Sequence, residues 1–307
     1  MRYTTFGRLG WRVSVVGFGS WGLGGQWGAV ERHTAEDTVD AALAAGINLI
    51  DTADAYGTTP GASEEILGKM LLGRRHQVYL TTKVGNFARR QGHPLSYETP
   101  LHVMLCCDAS LHRLRTDYID VYFCHIGGDS PAHDVFLEAF ERLADQGKIR
   151  AYGISTDNPT VLAHYASRER CGACQLAYSL LDRRAEQSGL LEVCRQHNVG
   201  TLIRSPLRSG LLTGKFTAET RFDDIVRERW YEREREVFVR EVERVEKLRG
   251  LVGDGRSVGQ LALAALLARP GVQIVIPGAK SPEQVRANAE AADLQLTSEE
   301  VERAFGI

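Results

Sequence analysis

The sequence predicts an α/β protein built as a (β/α)8 TIM barrel, and three observations carry that prediction. Short β-branched or apolar runs alternate with amphipathic stretches along the chain, and strands separated by helices pair in parallel. There are eight such runs, and no break in composition divides them into two sets. Chemistry-bearing side chains gather where the runs stop, as in DTADAYG, residues 51 to 57, directly after Ile47-Asn48-Leu49-Ile50. Eight uninterrupted units favour one closed barrel, so residues 1 to 307 are expected to form a single domain.

Taken in order, Tyr3 to Phe6 and Arg12 to Ser14 suit a short hairpin turning through Gly7 and Gly10 and capping the barrel floor. Barrel strands are expected at Val13 to Phe18, Ile47 to Ile50, Val78 to Thr82, Ile119 to Cys124, Ile149 to Ile154, Ala173 to Ala177, Gly200 to Ile203 and Val272 to Ile276. Amphipathic periodicity predicts helices over Thr34 to Ala45, Ser63 to Leu72, Thr99 to Leu114, Ala132 to Asp145, Pro159 to Ala166 and Ser188 to His197. Two places break the rhythm. Lys215 to Arg249 is dense in Arg and Glu, which reads as the solvated face of a charged helix or as a loop that closes over a ligand. Ser257 to Ala268 adds a helix before the last strand. After Ala292 only a short acidic helix remains, so any loop reaching over the site from there is expected to be small.

With 43% hydrophobic and 25% charged residues the chain can bury a sizeable core. A formal charge of -2 gives no basic field, which argues against nucleic acid or an anionic membrane as the partner and for a small molecule. The opening MRYTTFGRLGWRV has no apolar core of a signal peptide, and no stretch approaches a membrane span, so a cytoplasmic location is expected. Six cysteines are too few for a disulfide scaffold, and Cys171-Gly-Ala-Cys174 lacks the second ligand pair of a zinc site, so both read as structural thiols and no metal is expected.

Gly17-Phe18-Gly19-Ser20-Trp21-Gly22 matches the dinucleotide fingerprint GxGxxG after a strand. That motif must open a helix, and the residues that follow, LGGQWG, are too rich in glycine to do so. A convincing helix begins only near Thr34. The segment is therefore read as a strand-to-helix loop with Trp21 and Trp27 as apolar walls.

Barrels of this type carry their active sites at the C-terminal ends of the strands. Asp51 ends the second run, Lys83 the third and His125 the fourth, and Asp51 and His125 each continue an otherwise apolar strand face. Tyr56 stands in the loop five residues after Asp51. Each alone has a bland explanation, as helix cap, surface charge, core imidazole or loop packing; together they make chemical sense. A phenol titrates near pH 10. An ammonium beside it favours the tyrosinate, so Lys83 is expected to lower the Tyr56 pKa while Asp51 holds Lys83 charged. Tyr56 then serves as an acid-base group, and His125 orients a carbonyl. That set serves reduction of C=O.

DTADAYG, SEEILGKML, TTK, IDVYFCH, GIS, QLAYSLLDR, SPLRSGLLTGKF and IPGAKSPEQVRAN, in that order over nearly the whole chain, resemble the aldo-keto reductase superfamily. The resemblance implies a barrel binding NADPH in extended form, hydride transfer to a carbonyl, and Tyr56 as proton donor, with Asp51, Lys83 and His125 completing the tetrad. It places Ser155, Thr156 and Gln175 beside the nicotinamide carboxamide, and Ser20 and Trp21 at the same end of the cofactor. Ser205, Pro206, Leu207, Lys215 and Arg221 would follow its pyrophosphate. Gly278 and Lys280 precede a helix with Ser281 as N-cap and Pro282 in its first turn. Phosphate is attracted to such a helix end, and Lys280 would suit the 2′-phosphate of NADP(H), favouring it over NAD(H). Gln284 and Asn288 match family positions facing the adenine.

Two residues depart from the family pattern. Thr156 stands where an amide or arginine is usual. Arg204 stands where an aromatic ring stacks on the nicotinamide; a guanidinium can also stack, but it would repel the oxidised ring by up to about 4 kcal/mol at about 4 Å and an effective dielectric of about 20, favouring the reduced cofactor unless a carboxylate neutralises it. Trp21, Trp27 and Phe87 are candidates for the substrate pocket. The expected activity is NADPH-dependent reduction of an aldehyde or ketone, sugar-like ones included; the alternatives are NAD(P)-dependent dehydrogenation of a sugar or cyclic polyol, and a non-catalytic nucleotide-sensing subunit.

Overall fold

The computed structural model of the protein describes residues 1–307 apart from 88, 90, 91, 93, 94, 225, 233 and 254. Eight parallel strands form one sheet: β3 (Phe18–Gly19), β4 (Leu49–Asp51), β5 (Tyr79–Val84), β6 (Ile119–Cys124), β7 (Ile149–Ser155), β8 (Cys171–Ala177), β9 (Gly200–Arg204) and β10 (Ile274–Val275), neighbours in sequence being neighbours in space. The two edges meet where Val275 N donates to Val15 O at 2.9 Å and Gly17 N to Val275 O at 2.8 Å. A (β/α)8 barrel results, with helices packed outside: α1 (Arg32–Ala44), α2 (Ala62–Met70), α3 (Pro100–Leu114), α4 (His133–Asp145), α5 (Pro159–Ala166), α6 (Arg184–Gln187), α7 (Leu190–Gln196), α8 (Arg229–Glu232), α9 (Arg235–Arg249), α10 (Val258–Leu267), α11 (Pro282–Glu290) and α12 (Ser298–Phe305).

Strand faces alternate as the pleat requires. Leu49, Val121, Phe123, Ala151, Ala173, Leu202 and Ile274 fill the barrel interior, and residues of opposite parity such as Ile50, Leu80, Tyr122 and Ile154 pack outward under the helices. Phe123 fills the barrel because its neighbour on β7 is Gly153, where a Cβ would stand 2.6 Å from the ring.

β1 (Tyr3–Phe6) and β2 (Trp11–Ser14) pair antiparallel and close the floor. Phe6 and Val13 join the interior cluster, and Arg8 donates through Nε to His197 O at 3.0 Å. The floor seats itself on two glycines. A Cβ on Gly200 would lie 2.3 Å from the Phe6 ring, and one on Gly172 2.4 Å from Leu9.

Three expectations change. The run Val13 to Phe18 divides, because Val13 belongs to the floor hairpin and only Phe18 and Gly19 reach the wall as strand. The Ser188 to His197 helix shortens to α7, because Gly189 at a φ of +78° separates it from α6, a further short helix that ends before Ser188. The Arg- and Glu-rich segment is more than a solvated face: Leu211, Trp230 and Phe238 form a separate buried cluster with Phe216 and Phe222 packed on it. The glycine motif opens only a short 3-10 turn, Ser20–Gly24, and the first α-helix starts at Arg32, so the dinucleotide-fold reading of that motif fails for want of its helix.

Substituting Gly200→Ala should force the floor hairpin off its seat and lower stability by about 1–3 kcal/mol, the range for overpacking a full core. A urea midpoint equal to that of the parent would contradict this account of the floor.

Candidate active site

Inward-facing columns of the barrel end in polar side chains at one rim. Asp51 closes β4, Lys83 lies at the end of β5, and His125 follows β6; Ser155, Gln175 and Arg204 stand at or near the ends of β7, β8 and β9. The periodicity that faces Leu49, Phe123 and Leu202 into the core delivers these groups to its top.

Lys83 is the centre. It is wholly buried, and its Nζ donates to Asp51 Oδ2 at 2.7 Å, to Thr52 O at 2.6 Å and to the Tyr56 hydroxyl oxygen at 2.9 Å. An ammonium has three protons, and each has an acceptor. Asp51 Oδ1 accepts from Thr81 Oγ1 at 2.7 Å and from Gln175 Nε2, reaching from the opposite wall, at 2.8 Å. The Tyr56 ring is edge-on to Trp21 at 4.7 Å between centroids and to the half-buried His125 ring at 6.2 Å. All four members of the expected tetrad therefore share one mouth.

The electrostatics correct one expectation. Burial pushes the Tyr56 phenol above its usual 10, and the pull of Lys83, although downward as expected, does not outweigh it. Burial would by itself lower the Lys83 pKa; the carboxylate of Asp51 and then Tyr56 more than offset that, so it ends above its usual value. At neutral pH the pair is a neutral phenol held by a charged ammonium.

Asp54 was not anticipated. It is 1% exposed, and burial together with the nearby Glu64 carboxylate lifts its carboxyl well above the usual range, against weaker opposing pulls from Arg113, the Ala55 amide and Lys83. Glu64 takes the Arg113 guanidinium, accepting from its Nε at 2.7 Å, and also accepts from Thr82 Oγ1 at 2.6 Å.

The positions expected for a cofactor lie around the same mouth and in the loops beside it. Ser155 pairs in register with Gln175. Thr156 is buried, and its hydroxyl donates to Gly127 O at 2.5 Å. Ser20 is buried and shares a hydrogen bond with Ser63 Oγ at 2.8 Å. Ser205 is exposed and Leu207 half-buried, on either side of the buried Pro206; Lys215 and Arg221 are exposed, and Arg221 Nη1 donates to Glu219 O at 3.2 Å. Here Ser205, Arg208, Ser209 and Gly210 all have left-handed backbone, with φ of +55°, +49°, +53° and +96°. Two amides of this turn are engaged within it, Arg208 N donating to Ser205 O at 2.9 Å and Gly210 N to Leu207 O at 3.0 Å, which fixes its shape. Ser281 caps α11, accepting from Gln284 N, and Gln284 Oε1 accepts from Lys280 N at 3.0 Å. Asn288 lies one turn further along α11, half-buried. Gly278 approaches Trp27 so closely that a Cβ would lie 2.7 Å from the indole; Trp27 thus packs on the last turn of the barrel. Phe87 is half-buried, with the Arg113 guanidinium 5.7 Å from its ring centre.

Arg204 is not left unneutralised. Its Nη2 pairs with Asp157 Oδ2, and Asp157 Oδ1 accepts from Ala177 N at 2.8 Å. The expected electrostatic bias against an oxidised nicotinamide is therefore offset by the Asp157 carboxylate, two residues past the end of β7 in GISTD.

A barrel with polar side chains ringing its C-terminal mouth belongs to the broad class of (β/α)8 enzymes. The family model described as the Aldo/keto reductase family matches residues 15–305, and the chain belongs to that family. It is 34% identical over 306 residues to the aldo-keto reductase YhdN of Bacillus subtilis (strain 168), covering 98% of this chain and 91% of that protein. It is 33% identical over 307 residues to the NADH-specific methylglyoxal reductase of Escherichia coli (strain K12), covering 93% and 91%. Among solved structures it resembles the holo form of aldo-keto reductase AKR11C1 from Bacillus halodurans (TM-score 0.81, 33% identity, 99% and 95% coverage). It also resembles an aldo-keto reductase from Klebsiella pneumoniae in complex with NADPH (0.72, 29%, 99% and 93%) and the glycerol dehydrogenase AKR11B4 from Gluconobacter oxydans (0.83, 28%, 98% and 93%). The protein is an oxidoreductase of this family. No helix among the described residues is long and apolar enough to cross a membrane.

A carboxyl that is harder to ionise folded than unfolded takes stability away as pH rises above its unfolded pKa of about 3.9, until the folded value is passed. Asp54 is such a group. Asp54→Asn should therefore melt higher than the parent at pH 7, with the gap closing toward pH 4; equal Tm values at pH 7 would refute the assignment.

Proposed function

We propose that the protein reduces a small aldehyde or ketone, sugar-like carbonyls included, with NADPH as hydride donor and Tyr56 as proton donor. The observation that carries this reading is the 2.9 Å hydrogen bond from Lys83 Nζ to the Tyr56 oxygen. Because that oxygen accepts from Lys83, the phenolic hydrogen is directed elsewhere, toward the mouth where His125 stands.

When bound, the cofactor supplies a hydride to the carbonyl carbon. The chain supplies the rest. Tyr56 Oη gives its proton to the carbonyl oxygen, so hydride and proton together make the alcohol, and Lys83 stabilises the tyrosinate left behind. Asp51 keeps Lys83 charged and aimed, and Thr81 and Gln175 hold Asp51 in turn. His125 orients the substrate oxygen. The raised Tyr56 pKa keeps the donor protonated at neutral pH, which suits reduction. The turn 205–210, with Lys215 and Arg221, would hold the pyrophosphate, and Lys280 beside α11 the 2′-phosphate; this is the support for NADPH over NADH. An intact Asp51–Lys83–Tyr56 set argues against a purely nucleotide-sensing role.

One observation favours a second reading, dehydrogenation of a sugar or polyol. Asp157 offsets the Arg204 charge, so binding of the oxidised cofactor is not penalised, and the same residues then work in reverse with tyrosinate as base. Initial rates in both directions separate the two.

Tyr56→Phe should reduce aldehydes about 10²–10⁴-fold more slowly, the usual worth of a positioned acid, with NADPH binding unchanged by fluorescence titration; wild-type turnover would end the mechanism. Asp157→Asn should weaken NADP+ relative to NADPH by about tenfold, allowing for solvent screening of a pair one-third exposed. An unchanged ratio of the two Kd values would show that Arg204 does not feel the nicotinamide charge.

A further inference from the structure

The ammonium of Lys280 donates to the main-chain carbonyl of Trp27 at 2.8 Å. This bond joins two loops far apart in sequence: the turn Gly278–Ser281 after the last strand, and the glycine-rich loop 20–28 after the first. The contact is reinforced by shape. The Trp27 indole lies where a Cβ on Gly278 would come within 2.7 Å of it and one on Gly22 within 3.3 Å, so the ring is held between two glycines.

From Trp27 the connection runs on to the candidate proton donor. Gln26, 1% exposed, accepts through Oε1 from Gly57 N at 3.1 Å. Thr58 N donates to Gly24 O at 3.0 Å, and a Cβ on Gly24 would stand 2.6 Å from Gly57 Cα. Trp21 in the same loop is edge-on to Tyr56. The loop 20–28 is thus wedged between the turn bearing Lys280 and the turn bearing Tyr56.

We propose that Lys280 is a positioning residue for the carbonyl substrate: its bond to Trp27 O straps the loop 20–28, and with it Trp21 and Trp27, into the wall against which substrate meets Tyr56. This deepens the proposed function and rests on it, since there Lys280 is assigned only to the 2′-phosphate. An ammonium has three protons and can serve both acceptors. The strap needs no phosphate, so its effect is present with NADH as well as NADPH. Losing a charge-assisted hydrogen bond that holds a pocket wall corresponds to about a tenfold loss of apparent affinity for what the wall contacts. Tyr56 keeps Lys83, so turnover at saturation is little changed.

The test uses the intact protein, with Lys280→Met and Lys280→Arg beside the parent, and 4-nitrobenzaldehyde as the carbonyl probe. Lys280→Met is expected to raise the KM for the aldehyde about tenfold with NADH as cofactor, with kcat held within about twofold, and Lys280→Arg to restore most of the loss because a guanidinium can still donate to Trp27 O. An aldehyde KM unchanged in Lys280→Met with NADH overturns the proposal. The phosphate reading is judged separately, by the ratio of the cofactor KM values: if Lys280→Met leaves the NADPH-to-NADH ratio as it was, that reading fails while the aldehyde KM still decides the strap. Should NADH turnover be too slow to measure, hydrogen exchange of the peptide spanning 20–28 without cofactor takes its place. Faster exchange in Lys280→Met supports the strap, and equal exchange overturns it.

Discussion

A buried ammonium is tolerable only where its charge is balanced and its protons are all accepted, and Lys83 meets both conditions through Asp51, Thr52 and Tyr56. The rest of the mouth follows from that requirement. Asp51 must lie at the barrel axis to reach Lys83, so it is ringed by Thr81 from the next strand and Gln175 from across the barrel. Thr52 must present its carbonyl, which sets the direction in which the chain leaves β4. Tyr56 must return over the same ammonium, which the tight loop ending at Gly57 allows, at a φ of +128°. The placement of Tyr56 and the local folding of the mouth are thus governed by one group that cannot be left unpaired.

Much of this was legible because barrel strands obey a strict two-residue period. Once Leu49 and Phe123 are read as inward, Asp51 and His125 can only arrive at the rim, and Lys83 joins them by the same parity. What escaped the sequence depends on contacts that no period encodes. Asp157 meets Arg204 across β8, a neighbour relation that appears only when three strands are laid side by side. The sign of the Tyr56 shift was misjudged for a related reason: the pull of one ammonium can be argued from residue types, but the opposing desolvation sums over every atom that covers the ring. The cluster of Trp230 and Phe238 was hidden by the charged residues of the same helices, some of which lie over its rings, Arg229 on Trp230 and Arg235 on Phe238.

The two ends of the barrel use glycine for opposite purposes. At the floor, Gly172 and Gly200 give up their side chains so that Leu9 and Phe6 can seal the interior, a packing role. At the mouth, Gly22, Gly24, Gly57 and Gly278 let three loops press backbone against backbone and against Trp27, which brings segments from opposite ends of the chain around Tyr56. This matches the division of barrels into a stabilising face and a functional one, and it explains why a motif shaped like a dinucleotide fingerprint occurs where no helix follows.

The turn after β9 carries one last implication. Three side-chain-bearing residues, Ser205, Arg208 and Ser209, hold left-handed backbone that L-amino acids adopt only at an energetic disadvantage. The surrounding fold bears that cost, so a turn held in this way has little conformational freedom left to surrender to whatever settles on it.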